Sequence, residues 1–563
     1  MRGPAFPRSG IKWSPYQLIN EENMTNLQFG TAQFPCNCET FQRMDNGYLL
    51  ESTNISVQLP AGTKAYYTHG WQSWSLAGWT GLQALPVSKP ALLHPLQVDP
   101  VYARHPHPNG SWVGAVELAD GNILLLGALG LDSHVQLRER QLQGWYENAA
   151  SDSELQQWFI AHGPENEVFQ AYAHFLGERL GKRPAQATQQ VWCSWYSFYT
   201  AIDEQVLHAT FAGLADVPFD VLQVDDGWQL AIGDWEPNAK FPSGMEGLTT
   251  TIRATGRKAG LWLAPLLVVP SSKLYNSHPD WVLQDENGKP ISAGFNWGEP
   301  LYALDTTHPL VLGWLANLMK QVRSWGFDYV KLDFLYAGAL PGKRYQSKPR
   351  EAAYRDGLTA IRAGLGADAY LLTCGAPILP SLGLSDALRI GPDVAALWES
   401  QRDAVFLYNP ATPSAKNAIR TSINRMWLAP LVHTDPDVAY FCTRGNSLEP
   451  GQMQLLQDLA AVCRFKATSD LPQFLTKTER EALVSFLQHE ATIQRVGRNT
   501  FLIDGRKVDF SQAMTLPSHP TGITALLGEI AGWLGSQPFV LRLLGRLDQA
   551  RLKKLVKEIN NQK

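Results

Sequence analysis

Six short stretches decide the fold: VWCSWYS (191–197), DVLQVDD (220–226), GLWLAP (260–265), YVKLDF (329–334), AYLLTCG (369–375) and ALRIGPD (387–393). Each is an apolar run that closes on polar or charged residues. Between them lie stretches with helical spacing: DEQVLHATFAGLA (203–215), GLTTTIRATGRKA (247–259), HPLVLGWLANLMKQVRSWG (308–326) and YRDGLTAIRAGLG (354–366). Nearly continuous apolar strands suit a parallel sheet buried on both faces, and the helices supply its crossovers. Six such strands within about 200 residues favour a (β/α)8 barrel over a doubly wound sheet. No Gly-rich phosphate fingerprint follows the first strand, which weakens the dinucleotide-binding alternative. The seventh and eighth strands are expected near INRMWLAPLVH (423–433) and FKATSDLP (465–472).

Upstream, the texture is different. GYLLESTNISVQLPAG (47–62), GSWVGAVELADGNILLLGAL (110–129) and HVQLRERQLQGWY (134–146) are short apolar runs broken by Gly, Pro, Asn and Asp. That pattern predicts a β-sandwich, with the helical EVFQAYAHFLGERL (167–180) leading out of it. Beyond Leu475, a hairpin-like NTFLIDGRKVDFS (499–511) and a helical LDQARLKKLVKEIN (547–560) predict a compact appendage. The expected fold class is therefore α/β: a central (β/α)8 TIM barrel (184–475), an N-terminal β-sandwich (1–183) and a small C-terminal domain (476–563).

Composition bounds the partners. Of 563 residues, 45% are hydrophobic and 18% charged, with a net charge of −4, as in a globular protein without a basic footprint. Neither nucleic acid nor a membrane is an expected partner. Six cysteines (Cys36, Cys38, Cys193, Cys374, Cys442, Cys463) are too few for a disulfide scaffold, and no spacing suggests zinc. The N-terminus lacks the apolar stretch of a secretory leader, and no window nears about 18 apolar residues. A cytoplasmic location is expected; assembly into a homo-oligomer stays open. The 19 tryptophans include several beside Asp, Asn and Gly. Their flat apolar faces suit stacking on a sugar ring, although most serve packing.

Polar residues gather at the C-terminal ends of the candidate strands, the rim where a barrel builds its active site. Cys193, Trp195 and Tyr196 close the first strand and Asp225–Asp226 the second. Trp262 lies in the third; Lys331 and Asp333 close the fourth, Cys374 the fifth, Arg389 and Asp393 the sixth. A single Asp there could merely cap a helix. Four of them argue for a shared pocket, since buried unpaired carboxylates are costly. Two opposed carboxylates are the minimum equipment for glycoside hydrolysis. Asp333 suits the nucleophile because Lys331, two residues earlier, faces the same side of its strand. Asp393 suits the acid if burial or the charge of Asp333 favours its protonation, against which Arg389 would act. Asp225–Asp226 could hold vicinal hydroxyls or a divalent cation. Asp435 and Asp437, with His433, raise the same metal question, although a turn is the commoner role for such a trio.

The ordered blocks GWQSW (70–74), WCSWYSFY (192–199), VLQVDDGWQ (221–229), GDW (233–235), GLWLAP, YALDTTHP (302–309), YVKLDFLYAGALPG (329–342), TCGAPILPSLG (373–383), LRIGPD (388–393), NRMWL (424–428) and DPD (435–437) resemble the α-galactosidases of glycoside hydrolase family 36, in particular their shorter bacterial and archaeal members. KLDF alone is a weak signal; the ordered set is specific. The resemblance implies a sandwich, a barrel, a small C-terminal domain and no cofactor. It also implies a nucleophile at Asp333, an acid/base at Asp393, and an Asp225–Asp226 pair on the galactose O4 and O6 hydroxyls. Lys331, Cys374 and Arg389 match pocket residues, Trp262 and Tyr196 line the pocket, and Trp74 matches an aromatic inserted by the sandwich. The chain departs from that pattern at His433-Thr434, where Leu-Asn is more usual, and in a shorter, more helical tail.

The activity implied is retaining, exo-acting release of terminal galactose from small-molecule α-galactosides. The two carboxyl groups should then lie ~5–5.5 Å apart, against ~6.5–9.5 Å for inversion. A transglycosylase resembling raffinose synthases, an α-N-acetylgalactosaminidase, a non-catalytic sugar-binding protein and a metal-dependent hydrolase are the alternatives. The N-acetylgalactosaminidase would need space at the sugar C2, beside Cys374 and Gly375.

Overall fold

A computed structural model describes residues 24–38, 40–82, 97–103, 105–147, 156–182, 187–400 and 410–516, with isolated positions between 522 and 543. The N-terminal segment and the helix expected over 547–560 lie outside the described residues.

Two antiparallel sheets form the first part. One has six strands, in the order Thr25–Phe29, Ala32–Cys36, Asn54–Gln58, Gln141–Tyr146, Ser133–Arg138 and Asn109–Ser111. The other has seven: Phe41–Met44, Gly47–Glu51, Gln157–Gly163, Ile123–Ala128, Val113–Glu117, Ala65–His69 and Ala77–Gly81. The run ILLLGA explains how this layer is joined to the rest. All six of its residues are buried. Leu124 and Leu126 pack in the core between the sheets with Leu50, Val116 and Trp158. Ile123 and Leu125 join the larger core instead, with Phe169 and Tyr172 of the helix Glu165–Leu180. Period-two alternation thus gives a strand with two apolar faces. The helix carries the contact onward, its Phe169 and Tyr172 rings lying 5.8 and 5.5 Å from Trp427.

The barrel strands are β1 (Gln190–Cys193), β2 (Val221–Val224), β3 (Lys258–Leu263), β4 (Tyr329–Leu332), β5 (Tyr370–Thr373), β6 (Ala387–Arg389), β7 (His433–Asp435) and β8 (Lys466–Thr468). They pair in parallel in the order β7-β6-β5-β4-β3-β2-β1-β8. No ladder joins β7 to β8; the Ala439 N–H, just past β7, spans that seam to the Ala467 carbonyl at 2.8 Å. Two expectations need correction. Most of INRMWLAPLVH is not strand: Ala415–Asn424 is α-helix, Met426–Leu428 is a 3-10 turn, and β7 begins only at His433. Ser414 starts that helix by accepting from the Asn417 N–H, and the helix is buried from Ala415 to Ile423. The first strand also stops early, because Trp195–Phe198 forms a helical turn. A hairpin insertion follows β3, with strands Ser292–Asn296 and Glu299–Ala303. After β8 come the helix Lys477–Gln488 and a sheet of Ile493–Arg495, Thr500–Ile503 and Arg506–Asp509. Among the described residues no helix is long and apolar enough to cross a membrane.

The sandwich meets the barrel through the loop 70–74. Ser73 N–H donates to the Ala376 carbonyl, and Ile378 N–H to that of Trp71, both at 3.1 Å. The buried Arg425 guanidinium donates to the carbonyls of Gly70, Gln72, Ser73 and Ile390 at 2.6–3.1 Å. Burial, opposed by Tyr67, pulls its pKa down to about 9. A second clasp is ionic: Arg350 binds Asp99 and Glu147 of the sandwich, each with a 2.6 Å contact. Beside it, Glu351 accepts from Trp112 Nε1 and from the Asp132 N–H.

Candidate active site

The parallel strands bring the expected residues to one rim. Asp333 directly follows β4, where Phe334 takes a left-handed φ of 55° and turns the chain away from the strand. Phe334 N–H donates to Asp333 Oδ1 at 2.8 Å, and Trp262 Nε1 of β3 donates to Oδ2 at 3.1 Å. These two N–H groups fix the orientation of the carboxylate. Lys331 is corrected in one respect: its ammonium pairs directly with Asp225, Nζ to Oδ2 at 3.0 Å, rather than with Asp333. Burial works against that ammonium, but the charge of Asp225 and then of the Cys193 and Asp333 side chains holds its pKa above the ordinary lysine value.

Asp225 and Asp226 follow β2. Besides Lys331, Asp225 accepts from Gln223 Nε2 at 2.7 Å and from Cys193 Sγ at 3.4 Å. Asp226 accepts from Gln229 Nε2 at 2.6 Å and from Trp297 Nε1 at 2.7 Å. Burial raises its pKa to about 6, with both donors acting against that rise.

Asp393 sits four residues past Arg389, the last residue of β6. It lies sunk in the cleft, yet 35% of its side chain meets solvent. Its pKa is pushed up to about 7, by burial first and then by the charge of Asp437, with Asp333 adding to the rise. Arg389 opposes this, as its sign demands, but its charge is shared. Nη1 reaches Asp393 at 3.1 Å, Nε reaches Asp435 at 2.9 Å and Nη2 reaches Asp437 at 2.9 Å. Asp437 also accepts from Tyr196 Oη and, at 2.9 Å, from the Val394 N–H. The carboxylates weighed as metal ligands, Asp435 and Asp437, are thus engaged by an arginine. His433 stands apart, its Nδ1 2.8 Å from Tyr370 Oη.

Cys374 follows β5 and is buried; burial and then the charge of Asp333 raise its pKa, with Asp393 adding to the rise. One thiol therefore lies in the field of both carboxylates. Trp74 packs edge-on against Phe334 at 5.2 Å, and its Nε1 is buried with no partner among the described residues. Gly375, at φ 52°, leaves room for that ring: a Cβ there would stand 3.0 Å from it and 3.1 Å from the Phe334 nitrogen. The site residues expected from the sequence come together here through these contacts, whereas His433 faces Tyr370 instead. Sequence reasoning missed Gln229, Phe334 and Trp297, and gave Asp437 a different role. The Trp297 signal was available: a Trp-Gly pair between two strand-like runs.

Comparison with known proteins places the chain among glycoside hydrolases. The Melibiase family profile matches residues 154–361. The α-galactosidase AgaA of Geobacillus stearothermophilus is 30% identical over 176 residues, 29% of this chain and 23% of its own. α-Galactosidase 1 of Pediococcus pentosaceus is 26% identical over 196 residues, 32% of this chain and 26% of its own. The chain thus aligns with about a quarter of the length of these curated relatives. The solved structure of TtGalA, the α-galactosidase of Thermus thermophilus, in complex with p-nitrophenyl α-D-galactopyranoside, matches far more. It is 44% identical, covers 87% of this chain and 99% of its own, and superposes with a TM-score of 0.82. The solved AgaA structure, at 14% identity and a TM-score of 0.54, shares the fold. Identity at that level across nearly all of a solved relative shows that the chain belongs to the α-galactosidase family, family 36 of the glycoside hydrolases.

Proposed function

We propose that the chain is a retaining exo-α-galactosidase that releases terminal α-linked galactose from galacto-oligosaccharides, with Asp333 as nucleophile and Asp393 as acid/base. The observation that carries this reading is the contrast between the two carboxyls. Asp333 is oriented by two N–H donors, while Asp393 is pushed up to about 7 and so can carry a proton near neutrality. Two carboxyls set apart by their surroundings can divide the acid and nucleophile roles. Asp393 gives its proton to the glycosidic oxygen as Asp333 attacks the anomeric carbon; the aglycone leaves and a galactosyl ester forms. Asp393, now ionised, takes a proton from water, whose oxygen attacks the same carbon and frees Asp333.

In this reading Asp225 and Asp226 hold hydroxyls at the far end of the sugar, and Lys331, Cys374 and Arg389 line the pocket. Tyr196, Trp262 and Trp74 supply its walls. The residue blocks 1–183, 184–475 and 476–563 serve as sandwich, barrel and appendage. Structures of TtGalA with p-nitrophenyl α-D-galactopyranoside and with stachyose support a galacto-oligosaccharide substrate here. The packing of Trp74 over Gly375 argues against room for an N-acetyl group.

The test is hydrolysis of p-nitrophenyl α-D-galactopyranoside, followed by NMR from the first turnovers. Wild type should release α-galactose first, and Asp333→Ala should lose at least about 10⁴-fold in kcat. Initial release of β-galactose, or near-normal turnover by Asp333→Ala, would refute the assignment.

A further inference from the structure

Trp297 sits where the local backbone rules do not want it. Asn296 pairs with Glu299, so Trp297 and Gly298 form a two-residue hairpin loop, with φ 52° and 78°. Such a turn needs positive φ at both positions and favours Asn-Gly or Asp-Gly. A bulky side chain in the left-handed region at its first position is strained. The strain places the indole at the edge of the cleft. Its Nε1 donates to Asp226, and its ring lies 6.2 Å from that of Trp262 and 5.3 Å from that of Phe334. Trp262 in turn donates to Asp333, and Phe334 packs against Trp74. The hairpin tip thus completes an aromatic wall running from the Asp226 carboxylate to the tryptophan lent by the sandwich.

We infer that Trp297 is a substrate-positioning residue. Through Nε1 it orients the Asp226 carboxylate for a sugar hydroxyl, and its ring closes the wall beside Trp262 and Phe334. Asp226 is buried, and among the described residues its side-chain donors are Gln229 and Trp297. Without the indole N–H its Oδ2 would lose the donor that sets its angle. The residue belongs to binding rather than to bond cleavage, since its hydrogen bond goes to Asp226 and not to Asp333 or Asp393. This inference rests on the proposed galactosidase reading.

Trp297→Asn tests it, because Asn-Gly is the sequence this turn prefers, so the fold should not suffer. Wild type, Trp297→Asn and Trp297→Phe are compared on p-nitrophenyl α-D-galactopyranoside, with thermal midpoints taken alongside. Trp297→Asn should keep or raise the midpoint yet raise KM tenfold or more, with kcat within about threefold. Trp297→Phe, which restores the ring without the N–H, should fall between the two. Unchanged kcat/KM in Trp297→Asn would overturn the inference while leaving the galactosidase reading intact. A fall in kcat together with a lowered midpoint would overturn it in favour of a structural role. A wild type without turnover would remove the galactosidase reading and this inference together.

Discussion

Replacing Asp437 by Asn should move the alkaline limb of the pH–activity profile to lower pH. After burial, the charge of Asp437 is the strongest influence holding Asp393 protonated. The two carboxylates flank one guanidinium, at 2.9 and 3.1 Å from its terminal nitrogens. Two carboxylates on one guanidinium stand within several Å of each other, and at an effective dielectric near 20 such like charges repel by about 2–4 kcal/mol, or on the order of two pH units. Because 35% of the Asp393 side chain meets solvent, screening should reduce this to about one unit. The sign is fixed. Removing a neighbouring negative charge favours ionised Asp393, and the charge released on Arg389 acts in the same direction. Asn retains an oxygen to accept from Tyr196 Oη and the Val394 N–H, while its NH2, in the place of Oδ1, gives up the Arg389 contact. The assay is kcat/KM for p-nitrophenyl α-D-galactopyranoside from about pH 4 to 9, with quenched samples read for nitrophenol. An alkaline limb that stays in place, or moves up, would refute the electrostatic account of the acid.

Two further outcomes are expected. Gly375→Ala forces a Cβ to within 3.0 Å of the Trp74 ring at φ 52°, so denaturant titration should show a loss of about 1–3 kcal/mol, with kcat/KM falling as the ring is displaced. Asp132, raised to about 7 by burial and then by the charge of Glu147, stabilises the fold fully below the ordinary carboxylate pKa and loses that contribution as pH rises through 7. Asp132→Asn, which can still accept from the Glu351 N–H, should therefore flatten the decline in stability between pH 5 and 8 by on the order of 2 kcal/mol, read from melts at both pH values.

Six barrel strands were legible because each couples an apolar run to a polar end, a pattern with few other physical explanations. The seventh was not. It has three residues, His433–Asp435, and its upstream neighbour is a helix whose Lys416, Asn417 and Arg420 are buried among other segments. Hydrophobic periodicity cannot mark a helix that hides its polar face. The proposed catalytic pair was readable from strand ends, but the setting of Asp393 was not. It depends on Asp437, which meets Arg389 and Tyr196 only through the closure of the barrel. Trp297 was missed for a related reason, since its meaning lies in a backbone angle and in a partner 71 residues away.

The carbonyls gripped by Arg425 belong to a loop made long before it: Ser73 and Arg425 are separated by 352 positions. At ~5–20 residues per second, a ribosome takes roughly 20–70 s to cover that interval. During that time the nascent sandwich must hold Trp74 without its clasp. Competence should therefore appear late in synthesis, once the arginine has emerged to lock the two halves and the last two barrel strands behind it have followed.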